Sequence, residues 1–539
     1  SNAHTEDIII KNIKSPNKNE NLNHSLKGIL LVNDPTEIPN NLTEGITIKN
    51  IKLPTKEKVL TKELECYLNQ KSTKETIEDI KKTIIEYYKR NNRPVVIVFT
   101  SPKSFKDDVL VLIICESTLD EVKFRNNKYF QTELLKKYVF LKKGSFIDTK
   151  KLAEELYMLN KNPFRNSNIM LQPGNDPKTT NVIFLTEDRF PFNFTLGFDN
   201  TGLDLTGDNR LFTGFTIGNL FKKDQVFSYQ WITSTIFQRF NGHTFNYVIP
   251  FLWKHSINFY GGFSKTKALT NLENTTNRGT AKQLSLRYTI PITYLYPNYH
   301  EFIWGIDVKK TNTNLRHFGI PFFGNKVLTT QALLKYQLTR EARRSKILFD
   351  IGLFYSPGEL FSNQKNSNYN SLRAGAKNKY IYLRGSFLPI VYLPYKFSIL
   401  TNIRYQLSSQ NLLSYEQLNL GGYNTVRGYD ERVVNKDNVI LASLEIRSPH
   451  FHIAKQIKTK KNIKDSLIFL GFLDYGAGSN HKKVSNDKNP YLISIGPGLR
   501  YQIDTYLNIR IDWGYQLHRL DSLIETRTNK FHFAFVLNI

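Results

Sequence analysis

The chain has 539 residues, 40% hydrophobic and 13% aromatic, which is room for two or three domains or for a small soluble part and one large barrel. No stretch approaches the roughly 18–20 unbroken apolar residues of a spanning helix, so a helical membrane protein is excluded; a β-barrel is not, because its strands alternate lipid-facing and lumen-facing residues. The formal charge of +27 is spread along the chain without one basic face or arm, which argues against nucleic acid as a partner and leaves a Lys/Asn compositional bias or attraction to anionic lipid headgroups or acidic segments.

Residues 1–25 read as a tag remnant and flexible tail. Ser1-Asn2-Ala3 resembles a tag scar, no signal peptide is legible, and the Lys/Asn-rich text to His24 has no apolar run beyond Ile8-Ile9-Ile10. Residues 26–32 are a short apolar strand that either opens the first folded unit or belongs to its lead-in. From 46 to 115 the order is strand, helix, helix, strand, strand. Residues 46–51 alternate, a short helix occupies 62–68, and Ile77, Ile80, Ile84 and Tyr87 recur at helical spacing until Pro94 stops the helix. The β-branched runs 95–99 and 109–115 predict a hairpin across a polar loop holding Pro102.

The same order then repeats: strand 119–124, short helix 130–139, helix 149–159 with Leu152, Leu156 and Leu159 on one face, and a strand pair at 167–171 and 181–185 around Pro173-Gly174. Two small α+β domains, residues 26–118 and 119–189, are therefore expected as an internal repeat of roughly 70 residues. Both cysteines, Cys66 and Cys115, fall in the first domain as either a buried thiol pair or a disulfide; two cysteines make no metal site.

After Asp188 no helical period survives. Segments of alternating apolar and aromatic residues follow one another between Asn/Gly/Lys-rich turns, as at 192–198, 244–249, 284–290 and 380–387, and the last runs from Phe531 to Ile539. Roughly 350 residues, at about 9–11 per tilted strand plus connections, accommodate about sixteen strands. A soluble sheet protein of that length would divide into domains with linkers, and no linker is visible. A membrane sheet must close on itself to pair every backbone group. The expected fold is mainly β: two small α+β domains, then a transmembrane antiparallel barrel over residues 190–539.

Leu418-Asn419-Leu420-Gly421-Gly422-Tyr423-Asn424-Thr425-Val426-Arg427-Gly428-Tyr429 resembles the Val-Arg-Gly-aromatic motif of the POTRA-plus-barrel superfamily of polypeptide transporters. Phe472-Leu473-Asp474-Tyr475-Gly476 is similar to that superfamily's Phe-x-Asp-x-Gly strand motif. Two β-α-α-β-β units ahead of the barrel look like tandem POTRA domains. Three further stretches are similar to two-partner secretion transporters of the haemolysin secretion/activation type: Tyr87 to Arg90 with Arg93-Pro94, Leu159-Asn160-Lys161-Asn162-Pro163-Phe164-Arg165, and Gly197 to Gly202. On the residues alone, Asn160 and Pro163 are a helix stop and Arg165 a solvated side chain; the resemblance makes them a family-specific surface. Two departures stand out: no amphipathic plug helix is legible before the first domain, and the chain ends in Ile539 rather than an aromatic.

The resemblance implies an outer-membrane transporter with periplasmic POTRA domains, a secreted client polypeptide, outer-membrane lipid and the barrel assembly machinery as partners, and a loop folded into the barrel with Arg427 facing Asp474. An assembly factor that inserts other barrels is the alternative. An Arg inside a barrel is costly to desolvate unless a carboxylate matches its planar fork. Asp474 is the expected match, with Gly428 for a sharp turn and Tyr429 packing the tip. That pair either latches and gates the loop or stabilises the barrel, or does both. No catalytic residue is expected: the 11 His are dispersed, no Gly-x-Ser-x-Gly elbow or His-Glu-x-x-His is present, and no cofactor or metal fingerprint appears.

Overall fold

The computed structural model describes residues 25–539 except 40, 107, 270–274, 293–297, 318–319, 455–463, 484–488 and 521–526, and the chain divides into two compact units, Ser1–Phe190 and Pro191–Ile539. The tail expected over 1–25 lies outside the described residues apart from Ser25, which bridges to Lys71.

The first unit holds two small α+β domains. In the first, β1 (Gly28–Val32), β2 (Gly45–Lys49), α1 (Glu57–Leu64), α2 (Lys74–Arg90), β3 (Val96–Lys106) and β4 (Val109–Glu116) make a sheet of order β2-β1-β4-β3. The apolar strand of uncertain membership thus lies inside the sheet, parallel to both β2 and β4, with all five residues buried. Alternation sends Ile29, Leu31, Leu110, Leu112 and Ile114 toward Ile77, Ile80, Ile84 and Tyr87 of α2. Leu30, Val32, Val109, Val111 and Ile113 go to the other face, where Ile38 and Leu42 cover them. Burial on both faces is why β4 reads as an unbroken apolar run.

Three expectations are corrected. The helix placed at 62–68 is α1, starting at Glu57, and only one 3-10 turn, Glu65–Tyr67, follows it before Asn69 adopts a positive φ of 66°. Pro102 lies within β3 rather than in a loop; its pairing shifts between Thr100 and Phe105, and an irregularity on an edge strand tolerates a residue without an N–H. The cysteines form neither a buried pair nor a disulfide. Cys115 is buried on the sheet face away from the helices, whereas Cys66 is exposed in the turn after α1.

Burial pushes the carboxyl of Glu116, at the end of β4, up to about 7, although Arg93 Nη1 lies 3.3 Å from Oε2. Its other oxygen is buried without a hydrogen-bond partner. A folded value above the unfolded one means that its contribution to stability is full below the ordinary carboxylate range and is lost as pH rises through about 7. Protection of the β3 and β4 amides in the full chain, corrected for the intrinsic base-catalysed rate of exchange, is therefore expected to fall between about pH 4.5 and about pH 7, and Glu116→Gln to flatten that fall; an unchanged fall in the variant would refute the assignment.

The second domain comprises β5 (Thr118–Arg125), α3 (Thr132–Lys136), α4 (Thr149–Leu159), β6 (Arg165–Pro173) and β7 (Thr179–Asp188) in the order β5-β7-β6. Leu152 and Leu159 join Leu119, Phe130, Val182 and Phe184 in its core. Asp148 caps α4 by accepting from the N–H groups of Lys150 and Lys151. The helix expected over 130–139 shortens to α3; ahead of it Asp188 accepts the N–H groups of Lys128, Tyr129 and Phe130, which curl around its carboxylate as a bend rather than a helical turn.

The second unit is an antiparallel barrel of sixteen strands. In order they are β8 (Phe192–Asp199), β9 (Arg210–Leu220), β10 (Gln225–Ser234), β11 (Phe240–Pro250), β12 (Ser256–Leu269), β13 (Thr275–Ile292), β14 (Tyr299–His317), β15 (Ile320–Ala342), β16 (Ser345–Pro357), β17 (Lys379–Tyr392) and β18 (Ser398–Ser408). A short hairpin, β19 (Leu418–Leu420) and β20 (Val434–Lys436), stands apart from the wall. The wall resumes with β21 (Asn438–Arg447), β22 (Asp465–Ser479), β23 (Tyr491–Ile503), β24 (Leu507–Gln516) and β25 (Asn529–Asn538). β25 closes on β8, and Ile539 exchanges both backbone hydrogen bonds with Phe194 at 2.8 Å. Closure at this end is made by the backbone, so it does not require an aromatic at the last position. Alternation exposes Phe192, Phe194 and Leu196 outward on β8 and Phe469, Leu473 and Tyr475 outward on β22, and turns Phe472 and Asp474 inward.

Candidate functional site

The connection from β18 to β21, residues 409–437, carries the hairpin β19–β20 and packs against the inner wall. Leu420, Val426, Tyr429 and Val434 of the loop form one buried cluster with Val439, Leu441 and Leu492 of the strands. That cluster places Arg427, which is 3% exposed, deep against β22. Its fork meets Asp474 in parallel, Nε to Oδ2 at 2.7 Å and Nη2 to Oδ1 at 2.8 Å, and its backbone N–H donates to Oδ2 at 3.0 Å. Bidentate charge-assisted bonds of this kind are the strong ones. The guanidinium also lies 3.5 Å from the centre of the Phe472 ring.

The neighbours of Arg427 are set as tightly. Gly428 has φ +91°, and a Cβ there would stand 2.8 Å from the backbone carbon of Gly514. Its N–H donates to His532 Nε2 at 3.0 Å and its carbonyl accepts from Gln516 at 2.8 Å. The Tyr429 hydroxyl donates to the carbonyl oxygens of Ile493 and His518. A Cβ on Gly476 would come within 2.9 Å of Val426 and 2.8 Å of Leu441, so the strand motif needs glycine where the loop presses on the wall. Val426, Arg427, Gly428, Tyr429, Phe472, Asp474 and Gly476 thus meet in one place.

Sequence reasoning missed the rest of this network. Arg427 Nη1 also reaches Glu445 at 2.8 Å and Asp512 at 3.4 Å. Asp512 is gripped by Arg500 at 2.8 Å and Arg510 at 2.7 Å, and Glu445 by Arg447 at 2.6 Å. Strand alternation at Leu444-Glu445-Ile446 and Ile511-Asp512-Trp513 points both carboxylates into the lumen, which was a readable signal; their height beside Arg427 is set by register across β21 to β24. The base of the loop has two further anchors. Asp437, fully buried, takes the fork of Arg373 at 2.8 and 3.0 Å. Glu416 accepts from Lys309 on β14 at 2.5 Å and from Tyr382 on β17 at 2.8 Å. A cavity of about 700 Å³ remains beside the loop, with Thr195, Thr216, Ser228, Gln230, Asn246 and Tyr415 in its lining.

In the first unit, Asn160 and Pro163 end α4 as expected: Asn160 exchanges side-chain hydrogen bonds with the backbone of Ser167, and the Pro163 carbonyl accepts from Arg189. Arg165 is not solvated. It is 5% exposed, donates from Nε to the carbonyl of Leu159 and lies 5.0 Å from the centre of the Phe130 ring. A helix end offers unpaired carbonyls, and a buried guanidinium satisfies one. Among the described residues no group of three or more His, Cys, Asp or Glu converges as a metal site.

Comparison with known proteins decides the family. A family model described as haemolysin secretion/activation protein ShlB/FhaC/HecB matches residues 178–501, more than half of the chain. The chain belongs to the haemolysin secretion/activation family. Its members are outer-membrane transporters of the two-partner secretion type that export partner proteins, not enzymes; the barrel lies in the outer membrane and the two small domains are periplasmic POTRA domains. The outer membrane transporter CdiB of Dickeya dadantii is 26% identical over 156 residues, 29% of this chain and 27% of that relative. The heme/hemopexin transporter protein HuxB of Haemophilus influenzae is 20% identical over 453 residues, 81% of this chain and 77% of that protein. The solved structure of CdiB from Escherichia coli superimposes with a TM-score of 0.77 at 13% identity, covering 99% of this chain and 93% of that one. For this haemolysin secretion/activation protein the likeness to that structure speaks to the fold: tandem POTRA domains and a barrel.

Proposed function

We propose that the POTRA domains capture an extended client and that the Arg427 loop latches the lumen through which it leaves. The observation that carries the latch is the paired fork of Arg427 on Asp474, holding a long loop across the inside of a barrel. Capture is supported by sheet edges: β2 and β3 in the first domain, and β5 and β6 in the second, each have a strand neighbour on one side. An open edge accepts an added strand by backbone hydrogen bonds with little demand on side chains. The cavity beside the loop mixes hydroxyl and amide groups with aromatic side chains, and the polar groups suit the backbone of an unfolded chain in the same undemanding way. Folding of the client outside supplies direction. Assembly of the barrel itself falls to the barrel assembly machinery, a reading supported by the alternating terminal strand.

The test is co-expression with a secreted client encoded beside this protein. Secretion should require the full chain and fail when residues 26–189 are removed from a barrel that still assembles. Depletion of other outer-membrane barrels, with every extracellular protein still exported, would instead favour the inserting factor.

A further inference from the structure

The latch uses only a few of the basic side chains behind the net charge of +27, and another share of them is gathered on the outside of the barrel. Because β8 follows the periplasmic domains in the chain, its Phe192 end is periplasmic, and by alternation the Leu269 end of β12 and the Thr275 end of β13 are extracellular. Phe263 on β12 lies opposite Lys282 on β13, which lies opposite Lys310 on β14. Opposite residues share a face. One step toward the membrane centre that face carries Leu284, 56% exposed, opposite Val308, and then Ile306 and Trp304, so it is the lipid-facing one.

A cationic tier therefore sits directly on the extracellular margin of the apolar band. Lys265 stands one tier further out on the same face, and Lys267 opposite Arg278 one tier beyond that. Lys265, Lys282 and Lys310 are exposed and, among the described residues, have no ion pair. The ammonium groups of Lys265 and Lys282 both lie 5.4 Å from the centre of the one Phe263 ring. β12 and β13 contain no carboxylate, and Glu301 and Asp307 of β14 fall on the inward face. Like charges brought together without a counter-charge repel, and at headgroup level an anionic lipid is the available complement. Lysine stems lie well along apolar surface while their ends reach the polar layer.

We propose that this outward face of β12–β14 docks a phosphorylated glycolipid of the outer leaflet, with its phosphates held by Lys265, Lys282 and Lys310. Each lysine near an anionic membrane surface contributes about fivefold, so the three together predict roughly a hundredfold. The full chain in detergent should retain diphosphorylated lipid A in native mass spectrometry, and the triple variant Lys265→Gln, Lys282→Gln, Lys310→Gln should lose it by about that factor. The triple Lys→Arg variant should keep it, and added salt should weaken it. Equal retention by the Gln variant, equal binding of dephosphorylated lipid A, or displacement by inorganic phosphate alone overturns the proposal. Heat-modifiable migration on gels reports whether each variant is assembled. Should the Gln variant fail to assemble, the salt titration of the wild-type chain decides, and salt-independent binding overturns the proposal.

Discussion

Arg427→Ala is expected to abolish export of the partner protein while the barrel still reaches the outer membrane folded. Removing one member of a buried ion pair costs about 3–5 kcal/mol, because the partner charge stays behind. Glu445 and Asp512 keep Arg447, Arg500 and Arg510, so the orphaned charge is that of Asp474, left with two uncharged donors, the Ser443 hydroxyl at 2.6 Å and the backbone N–H of residue 427 at 3.0 Å. That energy shifts the loop from docked to undocked by a factor of at least about a hundred, and an undocked loop is free to wander across the lumen. Arg427→Lys keeps the charge but loses the fork, so it should export at an intermediate level. Adding Asp474→Ala to Arg427→Ala removes the orphaned carboxylate without restoring the hold. The double variant should therefore recover the heat resistance of the barrel but not export. Client measured in the medium, beside heat-modifiable migration of the barrel, reads both quantities; normal export by a well-assembled Arg427→Ala barrel would end the latch.

The second large effect is expected at a residue without a side chain. Gly428→Ala places a Cβ 2.8 Å from the backbone of Gly514 at a φ of +91°. The conformation alone costs roughly 1–2 kcal/mol for an L side chain, and the backbone contact adds to it. Gly514→Ala meets the same obstacle from the other side, its Cβ falling 2.4 Å from Gly428 N. Both variants should lower export by about tenfold or more without preventing assembly. Gly471→Ala, on the same strand as Asp474, is the control: nothing stands within 4 Å of its Cβ, and export should stay near that of the wild type. Equal export by all three variants would show that the close approach of loop and wall is not needed.

Much of this architecture could be read in one dimension, and the exceptions are instructive. Leu152, Leu156 and Leu159 marked α4 to the residue, because a helical stripe and its Asp148 cap are local. The run from Glu57 to Leu64 was placed five residues late: it is a short helix, and the turn that ends it depends on Asn69 rather than on proline. Pro102 was assigned to a loop by its type, but the shift in pairing that tolerates it belongs to two strands together. Arg165 was taken as solvated because arginine usually is, and the carbonyl it satisfies lies six residues away around a helix end.

The amino-acid order alone determined two small repeated domains and a closed barrel, and its resemblance to a known family implied the meeting of Arg427 with Asp474. Periods of two and 3.6 residues and the spacing of short motifs are local properties, and a sheet in lipid has no option but closure. Only the tertiary structure decided which other groups complete the site. Glu445, Asp512 and His532 come to the loop through registers accumulated strand by strand around the barrel, and a shift of one residue would turn any of them outward, while Asp437 and Glu416 of the loop itself meet Arg373, Lys309 and Tyr382 only once the loop is folded inside. The separation of Cys66 from Cys115 was also settled by tertiary placement: Cys115 lies on the sheet face away from the helices, and Cys66 in the exposed turn after α1.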